Sequence, residues 1–321
     1  MTTAILMNPN SARTSKHGHA LERAAANAPG VLFEQLDNFD LLSDQLKGLA
    51  KENIDLLIVS GGDGTVQAVV SALAEDKIFK KQPRLILLPH GTTNMTAADI
   101  GFHPNNPERL LEAVMRKGFI ERATNVKSRT SVRIEGLVGM PPLHGYFFGC
   151  GAITRATLKC QTDVHGLGLK GHLATGTTLV YSIFKAIFSK DQSDPERINQ
   201  PTELHVSTDG DPFGATQNLL FLATSLDKLI LGSKPFWNQQ GKGLHATIIG
   251  YPVTSILRNT KHIMFGGNTR PLDPTKYISR TASKITLKAD TQIILDGELY
   301  DVGAEGLTIS PGPELEFICG L

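Results

Sequence analysis

No stretch of this 321-residue chain reaches the roughly 18 apolar residues that a membrane-spanning helix needs. The nearest run, 179–188, is short and contains Lys185. Cysteine is scarce as well. Cys150, Cys160 and Cys319 form no CxxC pair and no zinc-ligand spacing. A disulfide scaffold and a structural zinc are therefore set aside, and reduced, buried thiols are expected. Charge imbalance is also missing. With 32 Lys and Arg against 31 Asp and Glu, the formal charge is +1. Such a balance offers no electrostatic footprint for nucleic acid. No basic leader precedes the apolar run 4–7, which is too short for a signal peptide and reads as a first strand. Internal repeats and low-complexity tracts are absent. A cytoplasmic protein is expected, one that visits the inner membrane surface rather than crossing it.

What the chain does contain is an ordinary globular composition, 40% apolar and 20% charged. Its length suggests two domains. Over residues 1–125 strand and helix patterns alternate. Runs 4–7, 31–36, 54–59 and 84–88 read as strands, and 19–28, 40–51, 66–74 and 107–117 as helices, with a short helix at Ala97 and Ala98. This alternation predicts a parallel, doubly wound α/β sheet. Over 126–321 the runs shorten and turn residues multiply, which predicts an antiparallel sandwich or barrel. One helix, 177–188, interrupts it, and 189–201 reads as a surface loop.

Chemistry gathers at the ends of the apolar strands. Run 54–59 leads into Ser60-Gly61-Gly62-Asp63-Gly64-Thr65, and a helix follows. Glycines let a backbone turn sharply and let a phosphate come close, and a helix N-terminus favours an anion. The loop is neither a Walker sequence nor a GxGxxG pattern. Asp63 would repel phosphate alone, so it suits magnesium or an attacking hydroxyl. The alternative is a tight turn in which Asp63 caps the following helix. A second loop, Pro89-His90-Gly91-Thr92-Thr93-Asn94, ends the next strand and falls at the same sheet edge. Far downstream, Asp296-Gly297-Glu298 follows another apolar run. On an extended strand its two acids share a face and jointly suit a metal or a hydroxyl. The competing reading is a hairpin turn with exposed acids.

Together with Asn8-Pro9-Asn10-Ser11, these segments resemble the diacylglycerol kinase catalytic-domain family, which includes bacterial lipid kinases and the sphingosine and ceramide kinases. Segment 147–151 and the 179–188 helix are weaker matches. The glycine motif alone is shared with NAD kinases, but the Gly91–Asn94 loop favours the lipid branch. The resemblance implies an α/β nucleotide-binding domain, a C-terminal β-sandwich for the lipid and an active site in the cleft between them. It implies ATP contacts from Asn8, Gly61, Gly62, Asp63, Gly64, Thr65, Val66, Gln67, Gly91, Thr92 and Asn94. It makes Asp63, Asp296 and Glu298 catalytic, with Glu298 as proton acceptor and Asp63 and Asp296 near ATP-bound magnesium. The activity implied is transfer of the γ-phosphoryl group of ATP to a lipid hydroxyl such as that of diacylglycerol. The partners implied are a lipid and, transiently, a membrane surface; a homodimer is open.

The sequence departs from the family at three points. Ala12 replaces a glycine, Met95-Thr96 replaces an Asp-Phe pair, and Lys242 stands where bacterial members often carry a magnesium-binding aspartate. The family's structural magnesium site is therefore not carried over, because an ammonium cannot ligate the ion. Met95 and Lys242 motivate an alternative, a catalytically weak nucleotide-binding regulator or lipid sensor of the same fold. Other polar or apolar clusters have blander explanations. His17 and His19 read as a solvated loop before a metal pair, and His165, Lys170 and His172 as a loop before a head-group site. Phe236 and Trp237 read equally as core or as a lipid-facing edge. The helix at 179–188 reads as cover for the sheet, or as lining for an acyl chain.

Overall fold

The computed structural model describes residues 2–11, 21–23, 25–28, 30–91, 94–101, 125–166, 198–253, 256–267 and 270–319, leaving out the side chains of 160–166 and 256–257. The expectations for Ala12, His17, His19, Thr92, Thr93, 107–117, Lys170, His172 and 179–188, and for the side chains of Cys160 and His165, lie outside the described residues. Two compact units make up the chain: Met1–Ser131 with Pro313–Leu321, and Val132–Gly312. Among the described residues no helix is long and apolar enough to cross a membrane.

In the first unit the apolar runs become parallel strands β1 (Thr3–Met7), β2 (Val31–Gln35), β3 (Leu56–Gly61) and β4 (Arg84–Pro89). Their order is β2-β1-β3-β4, and every neighbouring pair is parallel. All of β3 is buried, as an unbroken apolar run predicts for a strand covered on both faces. The helix α1 (Leu42–Lys51) buries Leu42, Leu46 and Leu49 at helical spacing. The helix α2 (Asp63–Glu75) buries Val66, Val69, Val70 and Leu73. It begins at Asp63 rather than Val66, so the glycine loop itself forms the first turn. A short helix, α3 (Met95–Ile100), follows β4. Because β2 and β3 flank β1 on opposite sides, the order reverses at β1. In open α/β sheets, ligands bind at the carboxyl ends of the strands beside such a reversal.

The first unit includes Val126–Ser131 and the C-terminal segment. Phe317 pairs in parallel with Leu85 of β4, and Arg84 Nε lies 2.9 Å from Glu316. Cys319 N donates to Asn125 O, and Ser131 Oγ to Pro313 O. These bonds explain why the division falls after Ser131 rather than at residue 125.

The second unit is antiparallel. Its strands begin within β5 (Val126–Glu135) and continue with β6 (Leu143–Gly145) and β7 (Phe147–Gly151). After α4 (Ala152–Gly166) come β8 (Thr202–Glu203), β9 (His205–Thr208), β10 (Asp211–Pro212), β11 (Gln217–Thr224) and β12 (Leu244–Gly250). After α5 (Ile256–Phe265) come β13 (Tyr277–Ala282), β14 (Ile285–Lys288), β15 (Ile293–Leu295), β16 (Glu298–Tyr300) and β17 (Leu307–Ile318). One sheet runs β13-β12-β11-β7-β15-β16. Its Phe148, Phe221, Leu244 and Ile248 pack with Val132, Ile134, Ile285 and Leu287 of the strands β5 and β14. Its other face packs Leu220, Leu222 and Ile249 against Ala152 and Ile153 of α4, Ile263 of α5, and Trp237. Phe236 and Trp237 are 4% and 6% exposed. They are core residues, and a lipid-facing edge at that place is ruled out. The helices α4 and α5 were not anticipated. The free thiols of Cys150 and Cys319 are buried.

Candidate functional site

Three loops leave the carboxyl ends of β1, β3 and β4, and hydrogen bonds knit them together within the first unit. Asn8 is buried; its Nδ2 donates to Thr65 Oγ1 at 2.9 Å and its Oδ1 accepts from Asn10 N at 2.9 Å. The Asn8 N–H donates to Ser60 O. Gly62 N donates to Ser11 Oγ at 3.2 Å. Between the second and third loops, Ser60 Oγ and His90 Nδ1 share a buried hydrogen bond of 2.8 Å. His90 N also donates to Gly61 O.

The glycines are where backbones touch. A Cβ on Gly91 would lie 2.4 Å from the Gly62 Cα, and one on Gly61 would lie 2.5 Å from the Thr65 Cβ. Real Cβ atoms do not come so close, so only glycine fits at either place. Gly62 is the N-cap of α2 and supplies no side-chain cap. Gly64 and Thr65 follow in the first turn, while Val66 and Gln67 bury their side chains. Asn94 caps α3 in the left-handed conformation, φ 49°. Its amide clamps Gly91 on both sides, accepting from Gly91 N at 2.8 Å and donating to Gly91 O at 2.7 Å.

Asp63 links the second loop to the third. Burial pushes its carboxyl pKa up from 3.8 to about 6, against the backbone N–H groups of Met95, Asn94 and Thr96, which bond the carboxylate and pull the pKa down. Desolvation wins over three favourable donors, so the charge is held at a cost. Asp63 does cap a helix, but that helix is α3, after the next strand, and not the α2 that follows it in sequence.

Asp296 and Glu298 belong to the second unit. They do not lie on one extended strand, because β15 ends at Leu295 and β16 starts at Glu298. Asp296 (φ 49°) and Gly297 (φ 100°) form the two-residue turn between them, the positive-φ pattern of tight hairpins. The shared-face geometry expected of the two acids is therefore corrected. Asp296 is 7% exposed, and Glu298 is exposed. Among the described residues no group of three or more His, Cys, Asp or Glu could hold a metal. Sequence reasoning missed Tyr146 and Phe147, whose N–H groups bond the Asp296 carboxylate at 2.8–3.0 Å. Backbone donors leave no residue-type signature, so only the fold reveals them.

Known proteins now bear on these loops. Residues 2–125 match the diacylglycerol kinase catalytic domain. The matched span holds all three loops and Asp63 and ends before Asp296 and Glu298. A diacylglycerol kinase of Staphylococcus carnosus (strain TM300) is 38% identical over 68 residues, 21% of this chain and 20% of that protein. The chain thus matches about one fifth of the length of that curated relative. A solved diacylglycerol kinase from Bacillus anthracis str. Sterne superposes with a TM-score of 0.63 at 16% identity, over 99% of this chain and 97% of that one. Another structure from the same organism gives 0.67 at 17% identity, with the same coverage. At such identities the likeness establishes the fold: an α/β domain followed by an antiparallel β domain, as expected from the sequence.

Proposed function

We propose that the chain is a magnesium- and ATP-dependent kinase that phosphorylates a lipid hydroxyl. The observation that carries this reading is the loop cluster at the order reversal of a parallel sheet, inside a diacylglycerol kinase catalytic domain match. The residues suit the nucleotide. Gly62 and Gly91 present backbone without side chains, and Gly62, the N-cap of α2, supplies no side-chain cap of its own, an arrangement that favours phosphate. Asp63 is one half-buried carboxylate rather than part of an all-protein cage, as suits a magnesium carried largely by phosphates. Bound there, Mg-ATP would supply the phosphoryl group and neutralise charge as it transfers. Asp63 would hold negative charge toward the metal while keeping α3 in place. Glu298, exposed and free of the turn itself, would accept the proton of the lipid hydroxyl. An apolar partner of this kind entails a transient contact with a membrane surface.

One observation favours a second reading, a nucleotide-binding regulator with little turnover. Both Asp63 and Asp296 commit their carboxylates to backbone N–H groups. ATP turnover with diacylglycerol, phosphatidylglycerol and sphingoid lipids separates the two. Transfer that disappears in Glu298→Gln supports the kinase. Tight ATP binding without transfer to any lipid supports the regulator.

A further inference from the structure

We infer that Asp296 is a positioning residue: its carboxylate fixes the β15–β16 hairpin, and through it Glu298, instead of ligating magnesium. The inference rests on the reading of Glu298 as the proton acceptor. Its geometric part stands on the second unit alone.

Asp296 is tied to one place from two directions. Tyr146 N donates to both carboxylate oxygens at 3.0 Å, and Phe147 N donates to Oδ1 at 2.8 Å. The Asp296 N–H returns a bond to Phe147 O at 2.9 Å. The hairpin tip is thus fastened to the start of β7. That start is itself held, since Thr224 Oγ1 donates to Tyr146 O at 2.7 Å and accepts from Leu226 N at 3.1 Å. Gly145 makes room, because a Cβ there would lie 2.6 Å from Asp296 Oδ2 and 2.6 Å from Leu295 Cδ1.

A carboxylate placed this way makes a poor metal ligand. Two backbone N–H groups already take lone pairs of its oxygens and fix their direction, whereas a magnesium ion demands its ligands in near-octahedral array. The same bonds make it a good anchor. Charge-assisted bonds to backbone N–H are stronger than neutral ones, and here they tie down a turn residue at φ 49°, the left-handed region that an Asp-Gly hairpin turn uses. Glu298 pairs with Leu295 directly across the turn. Any shift of the tip therefore moves the first residue of β16. A misplacement of about 1 Å is enough to cost about 100-fold in a reaction step.

Comparing Asp296→Asn with Asp296→Ala in the full chain tests the assignment. The amide oxygen that Asp296→Asn introduces can accept from both Tyr146 and Phe147 but is a far weaker magnesium ligand. The expected result is that Asp296→Asn keeps turnover within about tenfold, while Asp296→Ala loses about 100-fold in kcat. Both should keep the wild-type magnesium dependence and the KM for ATP. Amide hydrogen exchange at Tyr146 and Phe147 should accelerate in the alanine variant and stay slow in the asparagine variant. Equal damage in both variants, with a raised magnesium requirement, would overturn the inference in favour of a metal ligand. So would unchanged protection of the two amides in Asp296→Ala. If no lipid is phosphorylated by the wild type, the kinase reading fails, and the exchange experiment still decides the anchor.

Discussion

Gly62 and Gly91 meet backbone to backbone: a Cβ on Gly91 would lie 2.4 Å from the Gly62 Cα, and one on Gly62 would lie 3.1 Å from the Gly91 Cα. The asymmetry gives a graded prediction. Gly91→Ala forces two backbones apart and should cost about 1–3 kcal/mol as an overpacked contact. Gly62→Ala needs only a few tenths of an ångström and should cost less. Because both loops form the proposed phosphate cradle, ATP affinity should fall in the same order. Thermal melts and ATP titrations check this, and equal losses for the two variants would count against the cradle.

Asp63 makes the stability depend on pH with a defined sign. Its carboxyl pKa is raised from 3.8 to about 6 in the folded chain, so the folded state binds this proton more tightly than the unfolded one. The group favours folding most below pH 4. That contribution is lost as pH rises through the window from about 4 to about 6, and above it the partly desolvated charge costs on the order of 2–3 kcal/mol. Asp63→Asn keeps a hydrogen-bond acceptor and removes the charge. It should match or exceed the wild-type Tm at pH 7, lose that advantage at pH 4, and abolish turnover. Melting curves at several pH values that stay parallel for the two proteins would refute the burial cost.

Asn8 offers a way to separate folding from binding. Asn8→Ala removes the donor to Thr65 Oγ1 in a buried setting and the acceptor of Asn10 N in a part-buried one. Leaving buried groups without partners costs about 1–3 kcal/mol. Asn8→Asp restores the acceptor, and the Thr65 hydroxyl can turn to donate to it. The acid should therefore recover most of the stability yet weaken ATP binding, because it adds negative charge beside the phosphate loops. Isothermal titration with ATP, next to urea unfolding of both variants, reads the two effects independently.

Much of this organisation was legible in the sequence because it rests on periodicity and on special residue types. The buried β3 showed through the apolar residues Leu56, Leu57, Ile58 and Val59, and the three loops showed as clusters of Gly, Asn and Pro. Two kinds of feature were not legible. The helices α4 and α5 carry β-branched Ile153, Thr154 and Thr157, or Ile256 and Thr260, whose weak helix propensity is overridden by packing on the sheet. The second kind is the partner of a side chain. That Asp63 would cap α3 instead of α2, and that Asp296 would sit in a turn against Tyr146 and Phe147, depends on which strands become neighbours. Local sequence does not encode that choice.

Arg270 closes the outer face of the second unit, and the effect of replacing it can be read from a single fluorophore. Its guanidinium lies 4.6 Å from the centre of the Trp237 ring and donates to the carbonyls of Gly267, Ile263, Lys234 and Phe236. One planar fork thus ties the end of α5 to the segment that carries Phe236 and Trp237. Lysine has the charge but not the fork. Arg270→Lys should leave several of these carbonyls without a donor and destabilise the unit by on the order of 2 kcal/mol. Trp237 is the only tryptophan of the chain and is 6% exposed, so its emission reports this face alone. In the variant, the emission should shift toward that of a solvated indole before global unfolding begins, and the urea midpoint should drop. An unchanged emission together with a lowered midpoint would place the loss elsewhere and contradict the role assigned to Arg270.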